Sequence, residues 1–370
     1  MIERQKEEEK KMMPRRKTPK IVLVVSVFLA VILLFSACQK PVLPSDTYSL
    51  HTELQASYLA DDKAHIDRYA SGQEELSRPR PVMLDFSEIS DNLEEIDLSK
   101  DPDFDISFTC PLQDKKAEIY NLEIGVTYYY RVKKSDGAYG ETAAFRTEDA
   151  APRNLYVSGV TNVRDLGGYT LPNGRIRQGL LYRGGRLNKN KADTPTPSIT
   201  EKGIRTMKET MGIKTEIDLR RADNNEIGAL TASVLGEDVT YLNLPMTYDT
   251  SEILSANEGS IRALFSCLAK EENYPIYFHC SIGTDRTGFS AVLMLSLLGA
   301  ELDDIEHDYL FSNFGNIGGS RSVINFGGFI LYLSLFKGES LREKTEAYLL
   351  SIGVTAEEIA SFRSIMIEPN

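Results

Sequence analysis

A strand, a tight loop and a helix follow one another in the second half of this chain, and no other stretch constrains its fold as much. The apolar run Ile276–Phe278 predicts a short buried strand, and Thr287–Leu298 predicts a buried helix. Between them lie Cys280, Gly283 and Arg286, with five residues separating the Cys from the Arg. Such a turn directs backbone N–H groups and a helix N-terminus at one point, which favours an anion and lowers the pKa of a thiol placed there. A guanidinium binds two phosphoryl oxygens side by side, so the segment predicts a phosphate-binding loop with a nucleophilic Cys.

The residues around Cys280 resemble the signature of the Cys-based phosphatases, which is His-Cys, five residues, Arg and then Ser or Thr. They are most similar to a bacterial branch, often secreted, that acts on phosphotyrosine, other phosphoproteins or phosphoinositides and carries His-Cys-x-x-Gly-Lys-Asp-Arg-Thr-Gly. This chain has Thr284 where that branch has Lys. The resemblance extends from about Asn154 to the C-terminus, and it implies a protein-tyrosine-phosphatase-like phosphoric monoester hydrolase.

Three segments upstream of the loop resemble further elements of the same branch, in the same order. They are Val160–Tyr169, Leu181–Leu187 and Thr215–Arg220. The resemblance implies that the substrate-binding residues are Ser281, Ile282, Gly283, Thr284 and Thr287 in the loop, with Arg164, Asp165, Asp218 and Arg220 upstream.

The resemblance also implies a two-step mechanism, in which Cys280 attacks phosphorus and Arg286 holds the phosphoryl oxygens. A carboxylic acid must protonate the leaving group, and the branch carries that acid inside the loop, which here is Asp285. Asp249 is the alternative, because it precedes the Cys by thirty-one residues, close to the offset of the separate acid loop in eukaryotic-type enzymes. His279 is expected to fix the loop. The reaction needs no metal or other cofactor, and the four His residues form no metal-ligand motif.

The substrate class depends on Thr284. In phosphoinositide-acting relatives a basic residue at this position helps bind additional phosphates, and Thr brings no charge. We therefore expect a phosphorylated protein, carrying phosphotyrosine or phosphoserine/threonine, or a small phosphomonoester. The alternatives are a phosphoinositide or inositol-phosphate phosphatase and a catalytically silent surface binding or adhesion protein. The net charge of −12 makes nucleic acid a poor partner.

The N-terminal residues predict export. Residues 1–20 hold eight Lys or Arg against four Glu, and Ile21–Phe35 is uncharged and apolar. The small pair Ser36-Ala37 followed by Cys38 resembles a bacterial lipoprotein signal, which implies lipidation of Cys38. Residues 1–38 are thus predicted as a signal and lipoprotein anchor, with an uncleaved membrane anchor as the alternative. Either predicts an extracytoplasmic, membrane-anchored protein.

Two folded domains are predicted after a tether at residues 39–47. Residues 48–148 are expected to form a small β domain, since Val126, Tyr128, Tyr130 and Val132 alternate as one face of a strand. The pattern Leu-x-x-Gly-x-x-Tyr ending at Tyr128 resembles the tyrosine corner of immunoglobulin-like sandwiches, and the domain resembles a fibronectin type III module. Residues 48–80 fit that module poorly and are predicted as helical or as an irregular lead-in. The module is a scaffold or spacer, or else mediates adhesion.

The second predicted domain, residues 153–370, alternates strands and helices and so predicts an α/β sandwich with a central, mostly parallel sheet. Its loop should lie at the carboxyl end of a strand, where open α/β sheets bind ligands. Residues 313–337 mix Gly with bulky apolar side chains, which predicts either ordinary core or a mobile lid over the pocket.

Overall fold

The described part of the chain comprises residues 44–61, 65–90, 92–188, 198–221, 232–248 and 255–369 of a computed structural model. These residues belong to one unit, Pro44–Asn370, so the predicted division into two domains near residue 150 stays a prediction. The predicted signal, most of the tether, the lipidation site Cys38 and the alternative acid Asp249 lie outside the described residues. No helix within the described ranges is long and apolar enough to cross a bilayer.

The secondary structure changes from strands to alternating strands and helices along the chain. The strands are β1 (Thr47–Tyr48), β2 (Val82–Asp85), β3 (Leu93–Ser99), β4 (Ser107–Pro111), β5 (Lys116–Ile119), β6 (Thr127–Lys134), β7 (Ala143–Thr147), β8 (Arg153–Asn154), β9 (Arg164–Asp165), β10 (Thr170–Leu171), β11 (Gly174–Ile176), β12 (Leu181–Gly184), β13 (Thr215–Asp218), β14 (Thr240–Asn243), β15 (Ile276–His279) and β16 (Ile367–Pro369). The helices are α1 (Glu53–Leu59), α2 (Glu201–Arg205), α3 (Glu258–Leu268), α4 (Asp285–Leu298), α5 (Leu302–Phe311), α6 (Val323–Leu333), α7 (Leu341–Ser351) and α8 (Ala356–Met366).

Two sheets in the first half of the chain enclose a core of their own. One has five strands in the order β1-β7-β6-β3-β4, and the other pairs β2 with β5. Their shared core includes Val82, Ile96, Leu98, Ile119, Tyr128 and Phe145. The hydroxyl of Tyr128 accepts a hydrogen bond from the backbone N–H of Glu123 at 3.0 Å, which closes the turn before β6. This local contact is the one that a tyrosine corner makes.

The segment between β1 and β2 has Leu50, near its start, in the core of the two sheets and then packs against the second half of the chain. It contains helix α1, in agreement with the helical lead-in predicted here. Tyr58 of α1 is fully buried in the main core of the second half, where its ring contacts Phe311 and Phe314. Farther along, the hydroxyl of Ser77 accepts a hydrogen bond from the backbone N–H of Asn162 at 3.2 Å. The lead-in is therefore part of the structure that surrounds the loop after β15.

A six-stranded sheet in the order β14-β13-β15-β12-β9-β8 lies at the centre of the second half. Strands β14, β13, β15 and β12 are parallel, and β9 and β8 continue the sheet as antiparallel strands. The register pairs His279 with Asp218 on one side and with Gly184 on the other, so three strands end level with one another. The loop after β15 thus emerges at the carboxyl edge of the sheet, between the segments that follow β13 and β12.

Helix α4 continues from that loop into the core, and every residue from Arg286 to Leu298 is buried. Helices α5 and α7 pack on it. Two other helices begin at a side-chain cap. Thr200 accepts a hydrogen bond from the N–H of Gly203 before α2, and Thr355 forms a capping box with Glu358 before α8.

Helix α6 lies in the segment predicted as core or lid. It buries Phe326, Phe329 and Leu333, and the rings of Phe326 and Phe329 contact Tyr309 of α5. Its other face is open to solvent, with Ile324 among the exposed side chains. One face of α6 is therefore core, and its mobility as a lid stays a prediction.

Candidate active site

Residues 280–286, called the Cys280 loop below, comprise the loop after β15 and the first two residues of α4, and they are held tightly against the end of β12. Gly283 has a φ of +71°, which L side chains rarely adopt. A Cβ atom on it would lie 2.4 Å from the carbonyl carbon of Gly184. Only glycine fits at position 283 without moving the neighbouring backbone.

The carbonyl groups of the Cys280 loop are held outward by side chains from the surrounding segments. Asn162 Nδ2 donates to the carbonyls of residues 282 and 283 at 3.2 and 3.1 Å. Arg183 Nη2 donates to the carbonyl of residue 283 at 2.9 Å, and Arg186 Nη1 to that of residue 281 at 3.0 Å. In a planar trans peptide the next N–H points the opposite way, so the N–H groups of residues 282–284 face the inside of the loop. Inward-facing N–H groups at a helix N-terminus form an anion site.

Cys280 lies inside this ring and is almost fully buried. Burial alone would raise the pKa of its thiol, but the charge of Arg286 and hydrogen bonds from Thr287 outweigh burial and lower that pKa below its ordinary value. The hydroxyl of the buried Thr287 makes no hydrogen bond to nitrogen or oxygen among the described residues, which leaves it available to the sulfur. The site therefore favours a thiolate.

Arg286 places its guanidinium beside the loop at the carboxyl edge of the sheet. Its Nη1 donates to the backbone carbonyls of Leu219 and Met246, each at 3.4 Å. The guanidinium carbon lies 5.3 Å from the ring centre of Tyr248, whose side chain is 47% exposed. Tyr248 was not predicted as a site residue, because nothing in its local sequence separates it from any surface tyrosine.

Asp285 forms a bidentate ion pair with Arg321, a residue that the sequence did not indicate. Arg321 Nε donates to Oδ1 at 2.7 Å and Nη2 donates to Oδ2 at 2.9 Å. Both side chains are about one-fifth exposed, at 21% for the Asp and 22% for the Arg. Both carboxylate oxygens of the predicted acid are thus occupied in this state.

The side chain of Thr284 is not available in the pocket as a polar contact for a ligand. It is fully buried, its hydroxyl donates to the carbonyl of Ile282 at 3.3 Å, and it accepts from Asn162 at 3.4 Å. Position 284 therefore offers an incoming ligand its backbone N–H rather than its side chain. The side chain of Ser281 and that of Ile282 are half-buried in the same loop.

The predicted substrate-binding residue Arg164 instead belongs to a buried network with Asp308 and Arg183. Its Nε donates to Asp308 Oδ1 at 2.8 Å, and Arg183 Nη1 donates to Asp308 Oδ2. Burial acts to raise the pKa of Asp308, but the two guanidinium groups lower it below its ordinary value. Because Arg183 also holds a carbonyl of the Cys280 loop, the network supports the loop from behind.

Asp165, Asp218 and Arg220, predicted to bind substrate, are likewise buried and engaged by protein groups. Asp165 accepts from Arg153 Nη1 at 2.8 Å, and Arg220 Nε donates to both carboxylate oxygens of Asp218 at 2.9 and 3.1 Å. Position at a strand end does not decide on which side a side chain points. In this structure these residues, like Arg164, support the frame around the loop.

His279 was expected to fix the loop, and its Nδ1 lies 3.3 Å from the carbonyl oxygen of Cys280. Its Nε2 lies 2.9 Å from Glu216 Oε1, and its Nδ1 lies 3.9 Å from Asp218 Oδ1. Burial acts to lower the pKa of His279, but these two carboxylates raise it above its ordinary value. The imidazole is therefore held between two buried acidic groups at the start of the Cys280 loop.

Comparison with known protein families finds a match in the part of the chain that contains the Cys280 loop. Residues 155–321 match the model of the tyrosine phosphatase family. A Cupriavidus necator protein, named as a candidate tyrosine-protein phosphatase, is 30% identical over 176 residues, covering 42% of this chain and 61% of that protein. A tyrosine-protein phosphatase of Nostoc commune is 28% identical over 120 residues, covering 28% of this chain and 41% of that protein. The chain spans less than two thirds of the length of either relative.

Solved structures similar to this chain are distant. The core catalytic domain of the PP-IP phosphatase SIW14 from S. cerevisiae has a TM-score of 0.30 and 13% identity, covering 43% of this chain and 86% of that chain. TpbA from P. aeruginosa has a TM-score of 0.26 and 18% identity, covering 50% and 86%. The tyrosine phosphatase OH1 from the Orf virus has a TM-score of 0.21 and 15% identity, covering 49% and 86%.

Proposed function

We propose that this chain hydrolyses phosphomonoesters through a phosphocysteine intermediate on Cys280. The Cys280 loop carries this proposal, because a thiol of lowered pKa lies within N–H groups that are turned inward, with Arg286 beside it. The family match over residues 155–321 supports the same reaction class. A phosphoryl group satisfies all of these groups at once, since its oxygens accept hydrogen bonds and its phosphorus accepts the thiolate.

In the first step the Cys280 thiolate attacks phosphorus, and the bond between phosphorus and the leaving oxygen breaks. The inward N–H groups and Arg286 stabilise the charge on the equatorial oxygens as it redistributes. Asp285 donates a proton to the leaving oxygen, so that an alcohol or a phenol departs. The product of this step is the phosphocysteine.

In the second step Asp285, now a carboxylate, takes a proton from water as that water attacks phosphorus. The sulfur–phosphorus bond breaks, and inorganic phosphate and the thiolate are formed. The hydroxyl of Thr287 stabilises the departing thiolate, since it faces the sulfur and has no other acceptor among the described residues. The cycle returns Cys280 and Asp285 to their starting states.

The proposed substrate is a phosphorylated protein, and phosphotyrosine is favoured over phosphoserine or phosphothreonine. Tyr248 offers an exposed aromatic ring near Arg286, against which a phenyl ring can pack. Position 284 adds no cation for further phosphates, which argues against inositol phosphates and phosphoinositides. Of the two relatives described above, that of Nostoc commune is named as a tyrosine-protein phosphatase and that of Cupriavidus necator as a candidate one.

We also propose that the protein is held at the outer face of a membrane by a lipid on Cys38. The basic segment, the apolar run and the small residues before this Cys support the proposal. A Cys38→Ala variant is expected to lose incorporation of labelled fatty acid and to be released or kept as a precursor. Unchanged labelling and migration would favour the uncleaved anchor.

We propose that the two sheets of the first half form a fibronectin type III-like scaffold. The alternative role for them is adhesion. Contacts across to the second half support the scaffold. Arg153 Nε donates to the carbonyl of Leu122 at 2.9 Å, and Ile124 N–H donates to Gln178 Oε1 at 3.0 Å. A spacer hydrogen-bonded to the α/β half would hold the site at a fixed distance from the tether.

Turnover of para-nitrophenyl phosphate by the purified chain, without added metal, tests the activity. We expect hydrolysis that vanadate inhibits and EDTA does not, and we expect Cys280→Ser to abolish it while phosphate binding is kept. Phosphate binding without turnover by the wild-type chain would instead support a silent binding protein. Inhibition by EDTA but not by vanadate would point to a metal-dependent enzyme.

Kinetics on matched substrates test the substrate class. We expect kcat/KM to be highest for phosphotyrosine peptides, lower for phosphoserine peptides of the same sequence, and lowest for phosphoinositides in vesicles. A preference for phosphoinositides would overturn the assignment to phosphoproteins and leave the reaction chemistry intact. Tyr248→Ala should reduce the preference for phosphotyrosine if its ring packs on the substrate.

A further inference from the structure

The ion pair between Asp285 and Arg321 is not the geometry in which Asp285 can react. Both carboxylate oxygens accept hydrogen bonds from the same guanidinium, at 2.7 and 2.9 Å. A general acid must direct one oxygen at the leaving group, within about 2.6–3.2 Å. The pair therefore has to open, at least in part, before proton transfer.

The backbone of Arg321 is held by hydrogen bonds, whereas its side chain is partly exposed, at 22%. Its N–H donates to Asn313 Oδ1 at 2.7 Å, and its carbonyl accepts from Asn313 Nδ2 at 3.0 Å. Asn313 is itself buried and donates to the carbonyl of Leu310 at 2.7 Å. Among the described residues, the Arg321 guanidinium also donates longer hydrogen bonds to the carbonyls of Gly319 and Ser320, at 3.4 and 3.2 Å. Rotation about the side chain can thus redirect this cation without moving the chain.

The charges around the sulfur explain what would open the pair. Arg286 and Arg321 carry two positive charges, and the Cys280 thiolate and Asp285 carry two negative charges. The hydrogen bonds to Asp285 raise the pKa of Arg321, although burial opposes the rise. The negative charges of Asp285 and Cys280 raise it further. The Arg321 guanidinium therefore lies close enough to the sulfur to interact with its charge. The negative charge of Asp285 also acts on Tyr309, where it adds to burial in raising the pKa of the phenol. A dianionic phosphomonoester entering this balanced site brings two further negative charges.

We propose that Arg321 binds an oxygen of the incoming phosphomonoester in exchange for Asp285, and that this exchange frees Asp285 for proton transfer. The proposal rests on the proposed phosphatase function and adds a substrate-binding residue to it. Arg321 supplies a positive charge that the Thr284 side chain does not offer. With the guanidinium on the phosphoryl group, Asp285 takes a proton from solvent and later gives it to the leaving oxygen.

Binding of inorganic phosphate to the full chain tests the exchange without turnover. Arg321→Gln should remove a hydrogen bond between charged groups, so we expect it to weaken phosphate binding, measured by calorimetry, by about tenfold or more. Asp285→Asn should tighten phosphate binding, because it releases the guanidinium. In the Arg321→Gln background, Asp285→Asn should bring no such gain. The matched control is Arg363→Gln, which breaks the 2.8 Å ion pair with Glu346, at an Arg of similar exposure (18%), away from the loop.

Hydrolysis then separates binding from proton transfer. Arg321→Gln should raise KM for both para-nitrophenyl and phenyl phosphate, Arg321→Lys should recover part of the loss, and Arg363→Gln should behave as wild type. Unchanged phosphate affinity in Arg321→Gln would overturn the exchange and leave Arg321 as a structural partner of Asp285. Absence of hydrolysis by the wild-type chain would instead overturn the proposed function, and the phosphate-binding result would still be readable.

Discussion

Replacing Asp308 by Asn tests whether the buried network behind the Cys280 loop is essential to the fold. The change keeps the shape of the side chain and removes its charge. Arg164 and Arg183 then stay in the interior, at 1% and 0% side-chain exposure, without the carboxylate that both of them contact. Asn cannot restore this, because one of its two terminal atoms is a donor and would face a guanidinium.

The cost follows from the number of charges left behind. Removing one partner of a buried ion pair costs about 3–5 kcal/mol, since the remaining charge is uncompensated. Here two guanidinium groups depend on one carboxylate, so we expect the upper end of that range. Total stabilities are about 5–15 kcal/mol, and one substitution would remove a large part of the total.

Urea unfolding followed by far-ultraviolet circular dichroism measures the loss, because the chain has no Trp for fluorescence. With a slope of about 3 kcal/mol/M, a loss of about 4–5 kcal/mol should lower the midpoint of Asp308→Asn by about 1.3–1.7 M. The matched control is Asp303→Asn, at an exposed position on the same helix, which should stay within about 0.5 kcal/mol of wild type.

The pH dependence has a definite sign. The pKa of Asp308 is lowered in the folded protein, because Arg164 and Arg183 outweigh burial. Its stabilising effect is therefore complete above the unfolded carboxyl pKa of about 4 and is lost as the pH falls through the lower folded value. The wild-type and Asp308→Asn midpoints should converge in acid. Equal midpoints at pH 7, or a difference that does not shrink in acid, would refute this account of the network.

Three further predictions concern the loop itself. Iodoacetate at pH 6 should alkylate Cys280 and not Cys267, whose pKa is raised by burial, and inorganic phosphate should protect Cys280, as measured by peptide mass spectrometry. Gly283→Ala should lower kcat by about 10²–10³-fold, because the added carbon displaces the N–H groups, while the urea midpoint shows whether the fold survives. Asp285→Asn should cost more on phenyl phosphate than on para-nitrophenyl phosphate, whereas Asp249→Asn should affect both equally. If Asp249→Asn carries the leaving-group dependence, the acid comes from the separate loop.

Local chemistry made several parts of the fold predictable. The strand before Cys280 and the helix after it follow from short apolar runs, and the bounds Ile276–His279 and Asp285–Leu298 agree with those predictions to within a few residues. The caps at Thr200 and Thr355 depend on contacts three residues away, so the sequence displays both partners. The parallel sheet follows from the alternation of strands and helices along the second half of the chain.

Partners distant in sequence were not predictable in the same way. Asp285 meets Arg321 across 36 positions, and Arg164 meets Asp308 across 144. Neither pairing leaves a periodic or spacing signal. The assignment of Arg164 to substrate binding has the same cause. A charged residue at a strand end can line a pocket or form a buried ion pair, and the position of α5, which carries Asp308, decides between the two.

The segment that matches the tyrosine phosphatase family is smaller than the structure that supports its loop. Tyr58, far upstream of residue 155, fills the core beside Phe311 and Phe314, and Ser77 accepts the hydrogen bond from Asn162, whose side chain holds the loop carbonyls. The segment that is similar to the family is therefore shorter than the segment that holds the loop in place. A fragment that begins at residue 155 would lack both contacts, so it would keep the similar segment and lose part of what holds the loop in place.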